Sequence, residues 1–388
     1  MTSLLIKLFV KDAENTKSEK VRMKYGILSG TVGIILNIIL SVFKMIFGAI
    51  TKSVSIIADG ANNIFDAVSS IINLAGFKIS GKPADKDHPF GHGRIEYLSA
   101  LVLAFVILTM GVELIKSSFD KFTNPEKVIF SLPAVIVLIL SIIAKIWLAA
   151  FNKTIGKKIN SVSVDAVVAD SIGDIAATTC SLIALVASKF TDLPVDAVMG
   201  IIVAGVIIFA GIGIIKDALG PLLGEPPDKE IVDELEKLVL SYDNIIGIHD
   251  LVLHSYGHGK VFGSLHAEVP SDCDMIHIHD TIDIIEKDIK EKLGTEISIH
   301  MDPVLVGDEM TDTFKKKISS ILNDISPELT FHDFRIVTGP THTNLIFDVV
   351  IPHNSDLTEN EINTMIDSRI NEEDNRYYTV ITFDRSYI

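Results

Sequence analysis

The chain has 388 residues, of which 48% are hydrophobic and only 7% aromatic. An aliphatic excess of this size argues against an ordinary soluble protein and favours a membrane domain. The net charge of −16 argues against nucleic acid as a partner. Cys180 and Cys273 cannot form a disulfide framework. Most acidic residues lie beyond residue 224, so an apolar half precedes an acidic half.

Residues 1–25 are predicted to form a cytosolic N-terminal arm, without the apolar stretch of a cleaved signal peptide. Six apolar runs follow, each long enough to cross a bilayer at about 1.5 Å per residue. They are Gly26–Ile50, Ser53–Phe77, Ile95–Ile115, Val128–Phe151, Val164–Ser188 and Leu193–Ile215. For residues 26–216 we therefore predict an all-α bundle of six transmembrane helices.

Basic residues predict the orientation of this bundle. They precede the first run and lie between the second and third and between the fourth and fifth: Lys17, Lys20, Arg22, Lys24, Lys78, Lys82, Lys86, Arg94, Lys153, Lys157 and Lys158. The opposite connections carry fewer, although Lys116, Lys121 and Lys127 follow the third run. Because Lys and Arg are enriched in cytosolic loops, we expect a multi-pass protein of the cell membrane with both termini cytosolic.

Two polar pairs interrupt the apolar runs, each with a spacing of four residues. Asn62 and Asp66 lie in the second run, and Asp170 and Asp174 lie in the fifth. Residues four apart share one face of a helix, and an Asp at bilayer depth costs roughly 2.5–3.5 kcal/mol on insertion scales. The pattern predicts a divalent-cation site between two helices. The alternative is polar contact between helices or with water, without an ion.

The acidic half begins with a predicted hinge at Gly224–Pro227. Its hydrophobic pattern then follows the order αββαβ of a small α+β domain: Asp228–Tyr242, Ile246–His254, Val261–Val269, Met275–Leu293 and Glu296–Met301. The order recurs in Asp312–Ile325, Thr330–Val337, Asn344–Ile351, Thr358–Ile370 and Tyr378–Phe383, and His249-Asp250 recurs as His332-Asp333. We therefore predict a duplicated domain, at residues 217–303 and 304–388.

The connection between the second and third runs reads Pro83-Ala-Asp-Lys-Asp-His-Pro-Phe-Gly-His-Gly-Arg94. This loop, the two polar pairs and the acidic tail together resemble the cation diffusion facilitator family of divalent-metal efflux transporters, over roughly residues 20–303. The resemblance implies a homodimer with an intramembrane transport site, a loop site and cytosolic sites in a ferredoxin-like domain. It implies exchange of metal for protons and no enzymatic activity. A Walker-type nucleotide-binding sequence is missing, so no nucleotide is expected as a partner.

Position by position, the resemblance implies three groups of metal ligands. They are Asn62, Asp66, Asp170 and Asp174 for transport; Asp85, His88 and His92 in the loop; and His249, His266, His279, His300 and Asp302 in the cytosolic domain. In the second copy, Asp348 stands in place of His266 and Thr382 in place of His300. We therefore expect the copy to be degenerate, with a structural rather than a metal-binding role.

The transport ligands favour Mn²⁺, because carboxylate and carbonyl oxygens suit manganese or magnesium whereas imidazole suits zinc. Zinc-carrying members of the family usually have His or Asp at the first position and often His at the third. The histidines of the cytosolic positions favour zinc, so export of Zn²⁺ or Fe²⁺ remains an alternative.

The leading interpretation is a secondary transporter in membrane lipid that exports Mn²⁺ from the cytosol by proton antiport. The same carboxylates can hold either a metal ion or protons. An alternative from another class is a metal-responsive membrane sensor whose acidic tail is the output. Of the remaining charges in the apolar runs, Lys44 and Glu113 are expected to pair, and Lys145 to reach towards a helix end.

Overall fold

The computed structural model describes residues 2–16, 18–51, 54–123, 131–187, 195–227, 229–258, 260–352, 355–371 and 376–385. They form two compact units. The first comprises Met1–Glu225 with Tyr256–Lys260, and the second comprises Pro226–Ser255 with Val261–Ile388. The first unit is helical, whereas the second contains β-sheets as well as helices.

The described helices of the first unit are α1 Thr2–Phe9, α2 Glu19–Thr51, α3 Val54–Ser80, α4 Ile95–Thr123, α5 Leu132–Ile159, α6 Val162–Ala187 and α7 Val195–Leu223. The predicted arm therefore contains α1 and the first turns of α2. The predicted domain boundary at residue 216 falls inside α7, which ends at Leu223. Several predicted positions lie outside the described residues: Lys17, Ser53, Lys127, Val128, Ser188, Leu193 and Asp228.

Five helices in the described part of the chain are long and apolar enough to cross a membrane. They cover Lys20–Ile50, Ile95–Lys121, Leu132–Ile159, Val162–Ala187 and Ala197–Leu223. The long helix outside this group is α3, whose first half carries Asp59, Asn62, Asn63 and Asp66. These polar side chains reduce the hydropathy of α3, so the sixth membrane span remains a prediction.

Helices α2 and α3 approach closely because small residues line their contact. A Cβ atom added at Gly30 of α2 would lie 2.6 Å from the Cβ atom of Leu74 in α3. At Gly33, one turn further, it would lie 2.5 Å from the Oγ atom of Ser70. Any larger side chain at these positions would push the helices apart. This contact brings the backbones of α2 and α3 close together along this part of the bundle.

The first module consists of α8 Lys229–Val239, β1 Gly247–Ser255, β2 Val261–Pro270, α9 Met275–Leu293 and β3 Thr295–Val304. Its sheet has the order β1-β2-β3, with β1 antiparallel and β3 parallel to the central strand. The Asp274 side chain accepts a hydrogen bond from the Ile276 N–H at the start of α9, and Gly294 ends this helix in a left-handed conformation.

The second module consists of α10 Glu309–Ile325, β4 Thr330–Thr338, β5 Thr343–Ile351, α11 Glu359–Asn371 and β6 Tyr377–Arg385. Its sheet order, β4-β5-β6, and its strand directions match those of the first module. Each module has its own hydrophobic core. In the second, alternate residues of β5 from Leu345 to Ile351 are fully buried against α10 and α11.

The core of the second module depends on Phe347. Its side chain is fully buried, and its ring centroid lies 6.0 Å from those of Phe331 and Phe334. We expect Phe347→Ala to lower the free energy of unfolding of this module by about 3–5 kcal/mol, because it leaves a cavity. Tyr378→Ala, at a side chain that is 57% exposed, should cost about 0.5 kcal/mol or less. Pulse proteolysis in urea measures both, and equal losses would contradict this account of the core.

Candidate metal sites

Three aspartates meet between α3 and α6. Asp66, Asp170 and Asp174 each offer a carboxylate oxygen, and these oxygens lie within 4.8 Å of one another. Asp66 and Asp170 are buried, and Asp174 is half-buried. The spacing of four residues places Asp170 and Asp174 on the same face of α6, as the sequence predicts. Three carboxylates this close offer hard oxygen ligands of the kind that divalent cations take in proteins.

Asn62 does not join this group. Its side chain is exposed, whereas the neighbouring Asn63 is buried and its Nδ2 atom donates a hydrogen bond of 2.8 Å to Asp66 Oδ2. At 3.6 residues per turn, position 62 lies about 40° to one side of Asp66 and position 63 about 60° to the other. The packing of α3 turns the side that carries Asn63 towards the carboxylates. The geometry thus corrects the expectation that Asn62 faces the three carboxylates.

Lys145 of α5 supplies a positive charge to the three carboxylates. Its side chain is 4% exposed, and its Nζ atom lies 2.7 Å from Asp66 Oδ2 and 2.6 Å from Asp174 Oδ2. The expectation that Lys145 reaches towards a helix end is therefore wrong. Ser141, Lys145 and Asn152 are all buried on α5 at spacings of four and seven residues. That polar stripe is the sequence signal that could have placed this lysine inside the bundle.

Among the described residues, helix α2 forms two further ion pairs with other helices. Lys44 of α2 pairs with Asp59 of α3 at 2.7 Å and not with Glu113, which is exposed. Arg22 of α2 makes two hydrogen bonds to Glu96 of α4, at 2.7 and 2.9 Å. The first pair joins two consecutive helices and the second joins α2 to α4, so each constrains the relative position of two helices.

A series of hydrogen-bonded polar side chains connects four of these helices. Ser163 donates a hydrogen bond to the Asn73 side chain at 2.7 Å, Asn73 donates to Ser29 at 3.4 Å, and Ser29 donates to Asn152 at 2.9 Å. All four side chains are buried. Asn73 lies two turns beyond Asp66 on α3, so this series joins α2, α3, α5 and α6 near the carboxylates.

The loop residues Asp85, His88 and His92 also come together. Asp85 Oδ1 lies 3.4 Å from His88 Nδ1, and Asp85 Oδ2 lies 3.3 Å from His92 Nε2. The two imidazole centroids are 4.6 Å apart. The His88 backbone N–H donates a hydrogen bond to Asp85 and lowers the pKa of that carboxyl below its usual value. The segment is a series of turns rather than a helix, yet it still presents three potential ligands together.

In the first module, the strand register aligns three histidines. His249 of β1 pairs with His266 of β2, which pairs with His300 of β3. Asp302 lies 2.8 Å from His266, 3.1 Å from His249 and 3.4 Å from His300. Burial, followed by the nearby His332, lowers the pKa of the His249 imidazole. A neutral imidazole is the form that binds metal.

His279 lies outside this cluster, contrary to the resemblance-based expectation. It is exposed on α9, whose buried side consists of Ile278, Ile282, Ile285 and Ile289. That side packs against Leu265 and its alternate neighbours on β2. Because side chains alternate across a strand, His266 projects from the opposite face. The sheet therefore separates α9 from the histidine cluster.

Two family models match the chain. One is described as the cation efflux transmembrane domain and matches residues 30–223; the other is described as the cation efflux protein, cytoplasmic domain, and matches residues 227–304. The chain belongs to the cation diffusion facilitator family. It is therefore a multi-pass membrane protein of a family of cation efflux transporters and not an enzyme. Both models end before the second module.

The region that is similar to this chain spans most of the length of each of three relatives. An uncharacterized transporter of Methanocaldococcus jannaschii is 32% identical over 70% of this chain and 96% of its own. The manganese efflux system protein MneP of Bacillus subtilis is 28% identical over 70% of this chain and 94% of its own. The cation-efflux pump FieF of Yersinia enterocolitica is 27% identical over 73% and 94%, respectively.

For this family member, the geometry of the first module predicts which histidines bind zinc. We expect His266→Ala to weaken Zn²⁺ binding by at least about tenfold, because an imidazole ligand is lost from the cluster. His279→Ala is the matched control and should leave this affinity unchanged. Competition of the full-length protein with a chromophoric chelator measures both. Equal weakening by the two substitutions would contradict the separation of α9 from the cluster.

Proposed function

We propose that the protein exports Mn²⁺ from the cytosol by proton antiport, through a site formed by Asp66, Asp170 and Asp174. The observation that carries this proposal is the convergence of three carboxylates inside a bundle of apolar helices. Such a group is too costly to keep ionised in an apolar interior without cations. Carboxylates can exchange a metal ion for protons, which supplies the coupling between the two.

The choice of manganese rests on the type of ligand. The described group contains carboxylates and the nearby amide of Asn63, without imidazole, and oxygen ligands suit Mn²⁺ better than Zn²⁺. The similarity to a protein named for manganese efflux supports the same choice. The histidine clusters in the loop and the first module instead favour borderline metals. Export of Zn²⁺ or Fe²⁺ is therefore the second candidate.

Lys145 suggests how the exchange is balanced. Three ionised carboxylates and one ammonium group carry a net charge of about −2. One divalent cation neutralises this charge, and so do two protons. We propose that Lys145 stays charged throughout the cycle, so that one Mn²⁺ exchanges for two protons without net charge transfer within the site. The short contacts of Lys145 with Asp66 and Asp174 support this role.

Further parts of the proposal concern arrangement in the membrane. Helix α3 crosses the bilayer with the other long helices, and both termini lie in the cytosol. The distribution of Lys and Arg supports this orientation.

The first module is a cytosolic, ferredoxin-like domain, and the protein is a homodimer. The family model that matches the first module is named for dimerisation, which supports the dimer. Metal ions bind outside the transport path at two sites. One is formed by the loop residues Asp85, His88 and His92, and the other by the first-module residues His249, His266, His300 and Asp302. The second module is a degenerate copy of the first, supported by their common strand order.

The transport site is tested by Mn²⁺ flux into proteoliposomes under a pH gradient. We expect Asp66→Asn and Asp174→Asn to lower the flux by at least about tenfold, because each removes a ligand charge. Asp165→Asn is the matched control, since Asp165 lies on α6 but is exposed and outside the group. Asn63→Ala should reduce flux more than Asn62→Ala. Parallel assays with Zn²⁺ and Fe²⁺ decide the substrate, and the absence of flux with all three ions would favour the sensor.

The charge role of Lys145 is tested by imposing a membrane potential on the same proteoliposomes. Wild-type Mn²⁺ flux should not respond to a potassium diffusion potential, because the exchange is electroneutral. Lys145→Met removes one positive charge from the site, so its remaining flux should depend on the potential. Lys158→Met is the control, because Lys158 lies on the same helix but pairs with Glu14 outside the site. Potential-dependent flux in the wild type would overturn the charge balance.

A further inference from the structure

The second module lies beyond the residues that the family models match, yet it retains one feature of the first. His332 occupies on β4 the position that His249 occupies on β1: each pairs with the central strand and is followed by an irregularity in the register. Asp250 and Asp333, the next residues, both adopt a left-handed conformation with φ of 51°. Few non-glycine residues tolerate this conformation, and aspartate is among those that do. The two sites are therefore built alike.

These two equivalent histidines contact each other across the two modules. Their ring centroids lie 4.5 Å apart at an interplanar angle of 22°, which is a stacked arrangement. His332 Nε2 lies 3.4 Å from Asp250 Oδ1 and 3.8 Å from Asp384 Oδ2. His249, Asp250 and His332 each offer a ligand atom, and these atoms lie within 4.8 Å of one another. The two modules thus contribute to a single cluster.

The cluster contains buried nitrogens that lack hydrogen bonds. The His249 side chain is 7% exposed and that of His332 is 11% exposed. Among the described residues, His249 Nδ1 and both ring nitrogens of His332 have no hydrogen-bond partner. The carboxylate oxygen recorded near His249 Nδ1, Glu268 Oε1, is 3.8 Å away, beyond hydrogen-bond range. Buried polar atoms normally have partners, so these nitrogens are available to bind a ligand.

We propose that a divalent transition-metal ion binds between the modules, held by His249, Asp250 and His332, and links them within one chain. Two imidazoles and a carboxylate are a donor set that zinc and similar borderline metals favour. His249 Nε2 lies 3.1 Å from Asp302, so His249 also belongs to the first-module cluster. Asp384 adds negative charge on the side of the second module.

This site is independent of the transported ion, since it shares no residue with the three aspartates in the bundle. It also differs from the first-module cluster, because His332 and Asp250 belong only to the inter-module site. A purely structural alternative is that His332 serves only to stack on His249. Phenylalanine would preserve such stacking but offers no ligand, so His332→Phe separates the two roles.

The test uses the full-length protein in detergent, loaded with Zn²⁺ and passed through a desalting column. His332→Phe should retain one zinc ion fewer per chain than the wild type, whereas His342→Ala, which changes an exposed histidine of the same module, should retain the wild-type number. Asp250→Asn, which tolerates the left-handed backbone, provides a second variant and should bind this zinc ion at least about tenfold more weakly.

Hydrogen exchange gives a readout of the link between modules. Zn²⁺ should slow exchange of the backbone amides in both β1 and β4 of the wild type, and this slowing should be lost from β4 in His332→Phe. Unchanged zinc content in His332→Phe, or no zinc effect on β4 in the wild type, would overturn the proposal. Mn²⁺ flux of His332→Phe reports the transport site separately, so failure of one proposal does not obscure the other.

Discussion

The helical unit depends on how buried charges are balanced in an apolar interior. Lys44 with Asp59 and Arg22 with Glu96 are pairs of one positive and one negative residue, and an ion pair of this kind needs no further ion. The group around Lys145 differs, because three carboxylates share one ammonium. Of these buried groups, it alone has an excess of negative charge. The same principle that fixes the helices therefore points to the position where we propose that a cation binds.

The first module separates its functions between the two faces of a sheet. One face of β2 carries Leu265, Ala267 and Val269 in the hydrophobic core with α8 and α9. The alternate residue, His266, faces the other way and aligns with His249 and His300 through the strand register. Folding of the sheet therefore brings the histidines together without any contribution from the helices. A histidine on α9, such as His279, cannot join it within the same module.

Hydrophobic patterns predicted the helices and strands closely, because apolar periodicity reports directly which face is buried. The four-residue spacing of the two polar pairs predicted a common group of Asn62, Asp66, Asp170 and Asp174, and the structure brings the three aspartates together. What these patterns could not predict depends on tertiary packing. Whether Asn62 or Asn63 faces the carboxylates depends on the rotation of α3 about its axis. The two partners of Lys145 lie on other helices, which the pattern of α5 alone does not reveal. His279 was assigned by resemblance alone, and only the positions of α9 and the sheet reveal that it is on the wrong side.

On the proposal that the second module is a degenerate copy of the first, one position of the histidine cluster is retained. Along the strands, His249, His266 and His300 of the first module correspond to His332, Asp348 and Thr382 of the second. The retained histidine is the one that contacts the other module, at 4.5 Å from His249. Contact between equivalent residues is typical of twofold-related surfaces. On the proposal of an inter-module metal site, the second module acts as a covalently attached partner that completes the coordination of the first.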